Sequence, residues 1–593
     1  MMQGTAKLTN KYIRLQFMRL VKFCVGLFPE HIKIKLRKQH WLLNLYSKNL
    51  QRSGFFYGFP SAAKLQKLYI KNIALQTIKL QSMREGFNSI NAVNVVVILS
   101  GNKEMDLASM LMLETMQDVD FVYLAGTSAF VSSVKTQVSK KALNIKIANI
   151  NALPNAGTSP VLMLRSGDVL HKNAISVFLS NASKCKSIES VLYCDCDYLN
   201  VQGQRHRAEF YPDWSPDLQL SSAYIKTGLL VSGGDLLDNF TKFITSTQLD
   251  GALSLWLASL YLADPQRVIV HVPYTLVHQG DYYSLDWYKC LQTLNYGHFL
   301  VSRSPEKHVV KIQWHEMVLP FVSLIIPTKN AKSLVQTCIE SIVNKTTYPN
   351  YEILLIDNNS DDSEAIDYFN SLNEQSNIRV LSYPHPFNYS AINNFAVQHA
   401  RGEVIGLLNN DTEVISPEWL TYMVGHSLRD DVGCVGAKLL YPDNRIQHAG
   451  VVMGYGGGAG HAHKYFPRYH PGYLNRLSAT NNYSAVTAAC LLVKKSDYLA
   501  VNGLNEKDLT IAFNDIDFCL RVLQLGRRNL YCAEAVLYHH ESISRGLDDT
   551  HAKRSRFEKE LNYLQTNWKI YIDNDPAYNP NLTLRRENFS IKE

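Results

Sequence analysis

The sequence predicts an α/β protein: two tandem domains with mainly parallel, Rossmann-like sheets, behind a basic helical N-terminal extension. Three observations carry this. Strand-like apolar runs alternate with helical stretches over two long regions, Asn94 to about Gly280 and Val322 to Ser542, a pattern that builds parallel sheets through helical crossovers. Several of those runs stop abruptly in carboxylates and amides. Basic charge is concentrated in the first 85 residues, where 16 Lys and Arg face 2 Glu for a net +14, leaving −6 for the rest of a chain whose total is +8.

Length and composition bound the organisation. A chain of 593 residues exceeds what one hydrophobic core supports. With 46% hydrophobic and 19% charged residues it buries sizeable cores and is not disordered. The expected division is a basic extension (1–90), a first α/β domain (91–280), a connector (281–320), a second α/β domain (321–550) and a closing helix and tail (551–593). Ten cysteines without any C-x-x-C pair argue against zinc ribbons and disulfide frameworks, and read as reduced, mostly buried thiols.

The extension interleaves Lys and Arg with Tyr12, Ile13, Leu15, Phe17, Trp41 and Leu42. It reads two ways: as a surface helix lying on anionic lipid through residues 1–85, or as a helix packed on the body with a solvated basic face. Its longest apolar run, Leu15 to Phe28, is interrupted by Arg19 and Lys22 and lacks a cleavage pattern. The expected location is therefore cytoplasmic, with peripheral contact on the inner face of the plasma membrane under the first reading. Nucleic acid is not an expected partner, because the basic charge stays in the extension and no recognition motif accompanies it.

In the first region the strand-like runs are Asn94–Leu99, Phe121–Leu124, Val161–Leu164, Val191–Cys194 and Val268–Val272. The second region opens with Val322-Ser-Leu-Ile-Ile-Pro-Thr328, followed by a polar turn and a helix with Leu334, Cys338, Ile339 and Ile342 on one face. Two further runs end in Asp357 and in Asn409-Asn410-Asp411. Ligands of open α/β sheets bind at the carboxyl ends of strands, so Asp357 and Asp411 are expected in one crevice. A single strand-end Asp is commonly a cap; several converging acids are harder to explain that way. Asp515 begins a helix whose expected buried stripe is Phe518, Val522 and Leu525. The helix dipole favours an acid there, and a carboxylate fixed on a rigid element also suits a general base. His539 and His540 end a strand-like run, and an imidazole near Asp411 would complete a site for Mn²⁺ or Mg²⁺. The stretch Gly454 to His463 lacks the Lys-Ser/Thr ending of a phosphate loop and reads as a flexible lid or acceptor-side loop.

These pieces together resemble a family 2 glycosyltransferase of GT-A fold. The resemblance runs from Val322 to about Gly546 through IIPTKN, EILLIDNNSDD, FNYSAINNFAV, LLNNDTEV, QHAGVV, NYSAVTAACLLVKK, GLNE, FNDIDFCLR and YHHESISRG, in that order. It implies that Thr328, Asn330 and Asp357 hold the base and ribose of a UDP-, dTDP- or GDP-sugar, with Asn394 near the same nucleotide. It implies Asn409 and Asp411 at the D-x-D metal motif, His539 as a metal ligand and Asp515 as catalytic base. Asn409 replaces the first acid of that motif, which costs the metal one charged ligand. The implied activity is inverting transfer to a glycan or lipid-linked acceptor, rhamnosyltransferase-like, in bacterial O-antigen or capsule synthesis.

The first region resembles a second, degraded copy. Arg165-Ser166-Gly167 precedes Asp168 where an active relative would carry acids, and an Arg is electrostatically wrong at a cation site. Near Asp250 the expected pair of acids is reduced to one. The competing readings are a non-catalytic carbohydrate-binding or scaffold protein with two dead transferase folds, and a nucleotidyltransferase, which would need a basic Gly-rich loop where Pro327-Thr-Lys-Asn330 stands.

Overall fold

The computed structural model describes residues 60–85, 92–540 and 551–593, except 154–158, 186, 188, 201, 247–250, 281–284, 295, 316 and 317, with a few positions between 16 and 29. Most of the basic extension, Asp250 and the 541–546 end of the last motif lie outside the described residues. No helix among them is long and apolar enough to cross a membrane.

Two sheets form the body. The first takes β1 (Val93–Ile98), β2 (Val119–Ala125), β3 (Lys146–Asn149), β4 (Val161–Arg165), β5 (Val169–Leu170), β6 (Ser190–Leu199), β7 (Arg205–Glu209), β8 (Leu229–Ser232) and β9 (Ile269–Gln279). Its order is β3-β2-β1-β4-β8-β6-β9-β5, with β7 beside β6. After a hairpin of β10 (Phe299–Arg303) and β11 (Val310–Trp314), the second sheet takes β12 (Val322–Thr328), β13 (Tyr351–Asp357), β14 (Ile378–Ser382), β15 (Val404–Leu408), β16 (Thr412–Val414), β17 (Val432–Leu440) and β18 (Ile446–His448). A separate hairpin of β19 (Val451–Met453) and β20 (Ala459–His461) precedes its last strands, β21 (Asn481–Tyr483), β22 (Cys490–Lys494) and β23 (Arg528–His539). The order is β14-β13-β12-β15-β22-β17-β23-β16, with β18 on β17 and β21 on β23.

The two orders are the same once corresponding strands are matched, and so are the strand directions. Four parallel strands form one half of each sheet. An antiparallel strand, β8 or β22, then joins a parallel pair, β6 with β9 or β17 with β23. The expected tandem α/β organisation is therefore present, each sheet pairing a parallel half with a mixed half. All seven residues of β12 are buried, as a strand covered on both faces requires. In the helix Lys332–Lys345 the buried face runs through Val335, Cys338, Ile339 and Ile342 rather than through Leu334. Leu525 is 41% exposed, so the stripe of the helix Asn514–Gln524 ends at Val522. All ten cysteines are free and most are buried.

The connector is a folded wedge rather than a plain link. Its helix Trp287–Gln292 and the β10–β11 hairpin bury Trp287 and Trp314 against Leu220, Leu255 and Tyr261. The helix Trp419–Ser427 of the second domain comes so close that a Cβ on Gly425 would lie 2.4 Å from the Trp314 carbonyl oxygen.

Buried charges join the two sheets. Arg429 donates to both oxygens of Asp217, at 2.6 and 3.1 Å, and to the Tyr261 hydroxyl at 2.7 Å. Asn482 donates to Asp217 at 3.0 Å, Tyr261 donates to Asp431 at 2.9 Å, and Arg528 pairs with Asp431. Burial would raise the Asp217 carboxyl, but Arg429 outweighs it and holds the group at about 2. The C-terminal tail adds a second staple. Asn579 donates to both oxygens of Asp195 at 2.9 and 3.0 Å, and the Asp213 N–H bonds the Pro576 carbonyl at 2.8 Å.

Arg429→Met leaves Asp217 buried without its counter-charge, and should cost about 3–5 kcal/mol in urea unfolding. Adding Asp217→Leu should recover part of that loss; a second substitution that only added to the first would contradict the pairing. Because Asp217 titrates at about 2 in the folded chain against 3.8 ordinarily, its contribution is intact above pH 3.8 and is lost as pH falls through 2.

Candidate active site

The strand ends of the second sheet converge as the sequence implies, and a short backward strand completes the convergence. After β15 the chain turns through Asn409, Asn410 and Asp411 and pairs β16 antiparallel with β23, Thr412 opposite His539. That register sets the imidazole of His539 beside the acid of the preceding turn. His539 Nε2 lies 3.2 Å from Asp411 Oδ1 and 3.2 Å from Asn409 Nδ2. Nε2 thus sits between an amide nitrogen and a carboxylate oxygen, while Nδ1 is buried without a partner among the described residues. Asp411 Oδ1 is buried and receives no hydrogen bond. Carboxylate and imidazole thus face one another, an arrangement satisfied when a positive charge, a proton or a metal ion, joins them. Burial alone would raise the Asp411 carboxyl; the neighbouring imidazole holds it below the ordinary aspartate value.

This donor set fits a hard divalent cation. Such ions commonly take one or two protein ligands and fill their other positions with water and phosphate oxygens. Among the described residues no group of three or more His, Cys, Asp or Glu side chains gathers as a metal cage.

Asp515 reaches the same place from the other side. Phe513, in the left-handed region at φ 61°, turns the chain sharply into the helix Asn514–Gln524. The Asp515 carboxylate accepts from the Ala488 N–H at 3.1 Å and the Ile516 N–H at 2.9 Å. Burial raises its pKa in spite of these donors. The segment Thr487–Ala489 is the hub: the Ala488 carbonyl accepts from the Tyr389 hydroxyl at 3.2 Å, and the Ala489 carbonyl accepts from the Asn409 N–H at 3.1 Å. Behind the turn, the buried carboxylate of Glu560 accepts from the Ile511 N–H at 2.9 Å and from Thr510 Oγ1 at 3.0 Å. The C-terminal helix His551–Asn567 therefore braces the segment that aims Asp515.

Thr328 and Asp357 are register partners at the ends of β12 and β13. Asn410 Nδ2 donates to Thr328 Oγ1 at 2.9 Å, which ties this pair to the Asn409–Asp411 turn. Asp357 accepts from Ser360 Oγ at 2.5 Å. Asn330, at φ 52°, accepts from the N–H groups of Asp361 and Asp362 at 2.9 and 3.1 Å and donates to Asp361 Oδ1 at 2.7 Å. It locks the loops that follow β12 and β13 together.

Two expectations need correction. Asn394, expected beside the nucleotide, spends its amide within the protein. On the helix Tyr389–His399 its Oδ1 accepts from Tyr498 OH at 2.7 Å and from the Leu504 N–H at 2.9 Å. Its Nδ2 donates to the Leu504 carbonyl at 2.9 Å and to Glu506 at 3.0 Å. With both ends of its amide engaged, it clamps the Gly503 turn. The Gly454–His463 stretch is not a flexible lid. It is the β19–β20 hairpin, its tip packed under the C-terminal helices, with Gln565 donating to the Gly457 carbonyl at 2.7 Å.

Two further groups lie inside the same motifs with no sequence signal of their own. Tyr389 lies in FNYSAINNFAV and its hydroxyl is 3.4 Å from Asn409 Oδ1. His448 lies in QHAGVV and its Nδ1 is 2.8 Å from His461 Nδ1, both rings neutralised by burial.

The first sheet repeats the register with other charges. Val169 pairs with His278 as Thr412 pairs with His539, which puts Asp168 at the position of Asp411. Arg165 covers Asp168 through Nε at 3.2 Å and through a terminal nitrogen at 3.1 Å. His278 turns instead to Asp197, at 2.5 Å.

Asn394→Ala should lower stability by about 1–3 kcal/mol by stranding buried partners, read as a shifted urea midpoint with nucleotide affinity unchanged. A variant of undiminished stability that lost nucleotide affinity would return Asn394 to the base pocket.

Comparison with known proteins bears on the same segment. The family described as Glycosyl transferase family 2 matches residues 323–497. An uncharacterized protein, y4gI of Sinorhizobium fredii, is 38% identical over 463 residues, 75% of this chain and 50% of that protein. The O-antigen biosynthesis protein RfbC of Myxococcus xanthus is 33% identical over 430 residues, 68% of this chain and 32% of its own. The chain thus spans half or less of these relatives' lengths. A mannosyltransferase of Pyrobaculum calidifontis, solved with GDP-Man and Mn²⁺, covers 44% of this chain and 72% of its own at 15% identity and a TM-score of 0.31, too distant to lend its ligands. The domain built on the second sheet, with its strand-end acids, is a family 2 glycosyltransferase domain.

Proposed function

We propose that the second domain transfers a sugar, with inversion, from a nucleoside-diphosphate sugar to a glycan or lipid-linked glycan acceptor, in the synthesis of a bacterial surface polysaccharide. The observation that carries this reading is one constellation: Asp411 facing His539 at 3.2 Å, and a recessed Asp515 of raised pKa held by the same Thr487–Ala489 segment that holds Asn409. The similarity to a protein named for O-antigen biosynthesis supports the polysaccharide setting.

Each residue has one task. Thr328 and Asp357, with the loops that Asn330 locks, form the nucleotide side. Asp411 and His539 would hold Mn²⁺ or Mg²⁺, with Asn409 against the imidazole; the ion would supply charge neutralisation for the departing diphosphate. Asp515 takes the proton of the acceptor hydroxyl as its oxygen bonds to the anomeric carbon and the carbon–oxygen bond to the diphosphate breaks. A raised pKa makes Asp515 a better proton acceptor than an exposed aspartate, provided it is ionised. Asn409 in place of an acid leaves the ion one charge fewer, which points to weak binding of metal without nucleotide.

The first domain is proposed to be non-catalytic. The salt bridge of Arg165 to Asp168, and His278 diverted to Asp197, support this, since a guanidinium already fills the cation position.

Donor binding tests the reading. Purified chain is titrated with UDP-, dTDP- and GDP-sugars, with and without Mn²⁺. One nucleotide class should bind in a metal-dependent way, and Asp411→Ala should abolish that dependence; no binding of any donor would favour the scaffold reading. Asp515→Asn should lower transfer by roughly 10²–10⁴-fold while leaving donor affinity intact. The acid limb of the wild-type pH profile should lie above the ordinary aspartate value of 3.8, with activity rising as pH climbs through it. Transfer undiminished in Asp515→Asn would remove it as the base.

A further inference from the structure

We propose that a cavity at the junction of the two domains binds an oligosaccharide carrying negative charge. It encloses about 940 Å³, the size of a small-ligand pocket. Its walls come from the ends of β6 and β9, from β7, from the helix Ala62–Glu85, from the turn Gly472–Asn475 of the second domain, and from Phe589 and Ile591 of the tail. It opens at the carboxyl ends of strands, where α/β sheets bind ligands, in the domain whose metal position is neutralised.

Backbone strain concentrates there. Of fifteen non-glycine residues at positive φ among the described residues, five line this one cavity: Arg207, His308, Leu474, Asn475 and Phe589. Such strain gathers at ligand sites, where the fold holds a side chain in a pose it would not choose. Asn330, Ala331 and Phe513 show the same gathering at the candidate active site.

Arg207 shows what the strain achieves. Between the pairs Cys196–Glu209 and Tyr198–His206, β7 has two residues where β6 has one. This bulge, with φ 49° at Arg207, lays the guanidinium over the Tyr198 ring, 4.4 Å from its centroid. Bulges re-aim side chains in this way beside binding sites.

The lining selects the ligand's chemistry. Its charged residues are Arg205, Arg207, Lys226 and Glu209; Arg205 is committed to the buried Asp197 at 2.6 Å, which leaves Arg207 and Lys226 against one carboxylate. Glu209 accepts from the hydroxyls of Tyr198 and Tyr211 at 3.1 and 2.9 Å, and Lys226 lies 4.0 Å from it. Tyrosines and side-chain amides make up much of the rest, groups that suit sugar faces and hydroxyls. Gln279, 1% exposed, lines the cavity; its Oε1 accepts from Arg165, while its Nε2 has no partner. A buried amide left with an unused donor is what a bound hydroxyl or carboxylate would satisfy. As the resting place of an acceptor's grown end the site rests on the proposed transfer; as a carbohydrate site it does not.

Titration calorimetry of the full chain with trigalacturonate, maltotriose and inorganic phosphate tests this. Trigalacturonate should bind, and maltotriose at least tenfold more weakly. Arg207→Gln combined with Lys226→Gln should weaken trigalacturonate at least tenfold without moving the melting temperature, and Asp515→Asn should leave it unchanged. If the double variant misfolds, hydrogen exchange on the wild type decides: trigalacturonate should protect 198–209 and not 487–515. No binding, equal binding of maltotriose, complete displacement by phosphate alone, or protection at 487–515 would each overturn the proposal. Donor titration of the same samples reads the second domain separately, so trigalacturonate binding without donor binding would sink the transferase reading and leave this one standing.

Discussion

The short antiparallel strap of β16 on β23 is the constraint on which the site depends. Its register, Thr412 opposite His539, is set by backbone hydrogen bonds and not by the chemistry of the side chains it delivers. A slip of one residue would send His539 to the opposite face of the sheet and part it from Asp411. Everything else at the site is arranged around that pairing. Asn409 lies against the imidazole, Asn410 ties the turn to Thr328, and the Thr487–Ala489 segment joins the turn to Asp515.

The same strap occurs in the first sheet with the same register and opposite electrostatics. Strand order and direction match across the two sheets, so the scaffold that presents an acid and an imidazole is built twice. In one copy the acid faces an imidazole; in the other Arg165 supplies a positive charge. The two copies therefore differ at this position by one positively charged side chain. The first sheet is bound to the second by buried charge, through Arg429 with Asp217 and Asn579 with Asp195. These pairs make it part of the structural support for the site and not an appendage.

Much of this was legible in the sequence where the signal is local. The strands of the parallel halves announce themselves as unbroken apolar runs because both faces are buried, and Asp357 and Asp411 follow from where those runs stop. The helix carrying Asp515 was visible from Phe518 and Val522. Short or half-covered strands such as β5, β16 and β21 carry two or three residues and no period, so they were invisible. The bonds of Asn394 to Tyr498 and Leu504 are not legible in its motif, because the Gly503 turn that it clamps lies far along the chain. The Gly454–His463 stretch looked mobile from composition, yet packing under the C-terminal helices fixes it. The links between domains were beyond reach for a plainer reason: Asn579 and Asp195 are 384 residues apart, and a buried polar pair at that separation leaves no trace in either neighbourhood.

The central claim is that one sheet, not two, presents a metal-binding acid. The most direct measurement is the number of Mn²⁺ ions bound per chain in the presence of the nucleotide that the chain prefers, counted by the loss of the free Mn²⁺ spin-resonance signal. The account predicts one ion per chain. Two ions would mean that Asp168 binds metal in spite of Arg165, and none would mean that Asp411 and His539 are joined by a proton alone.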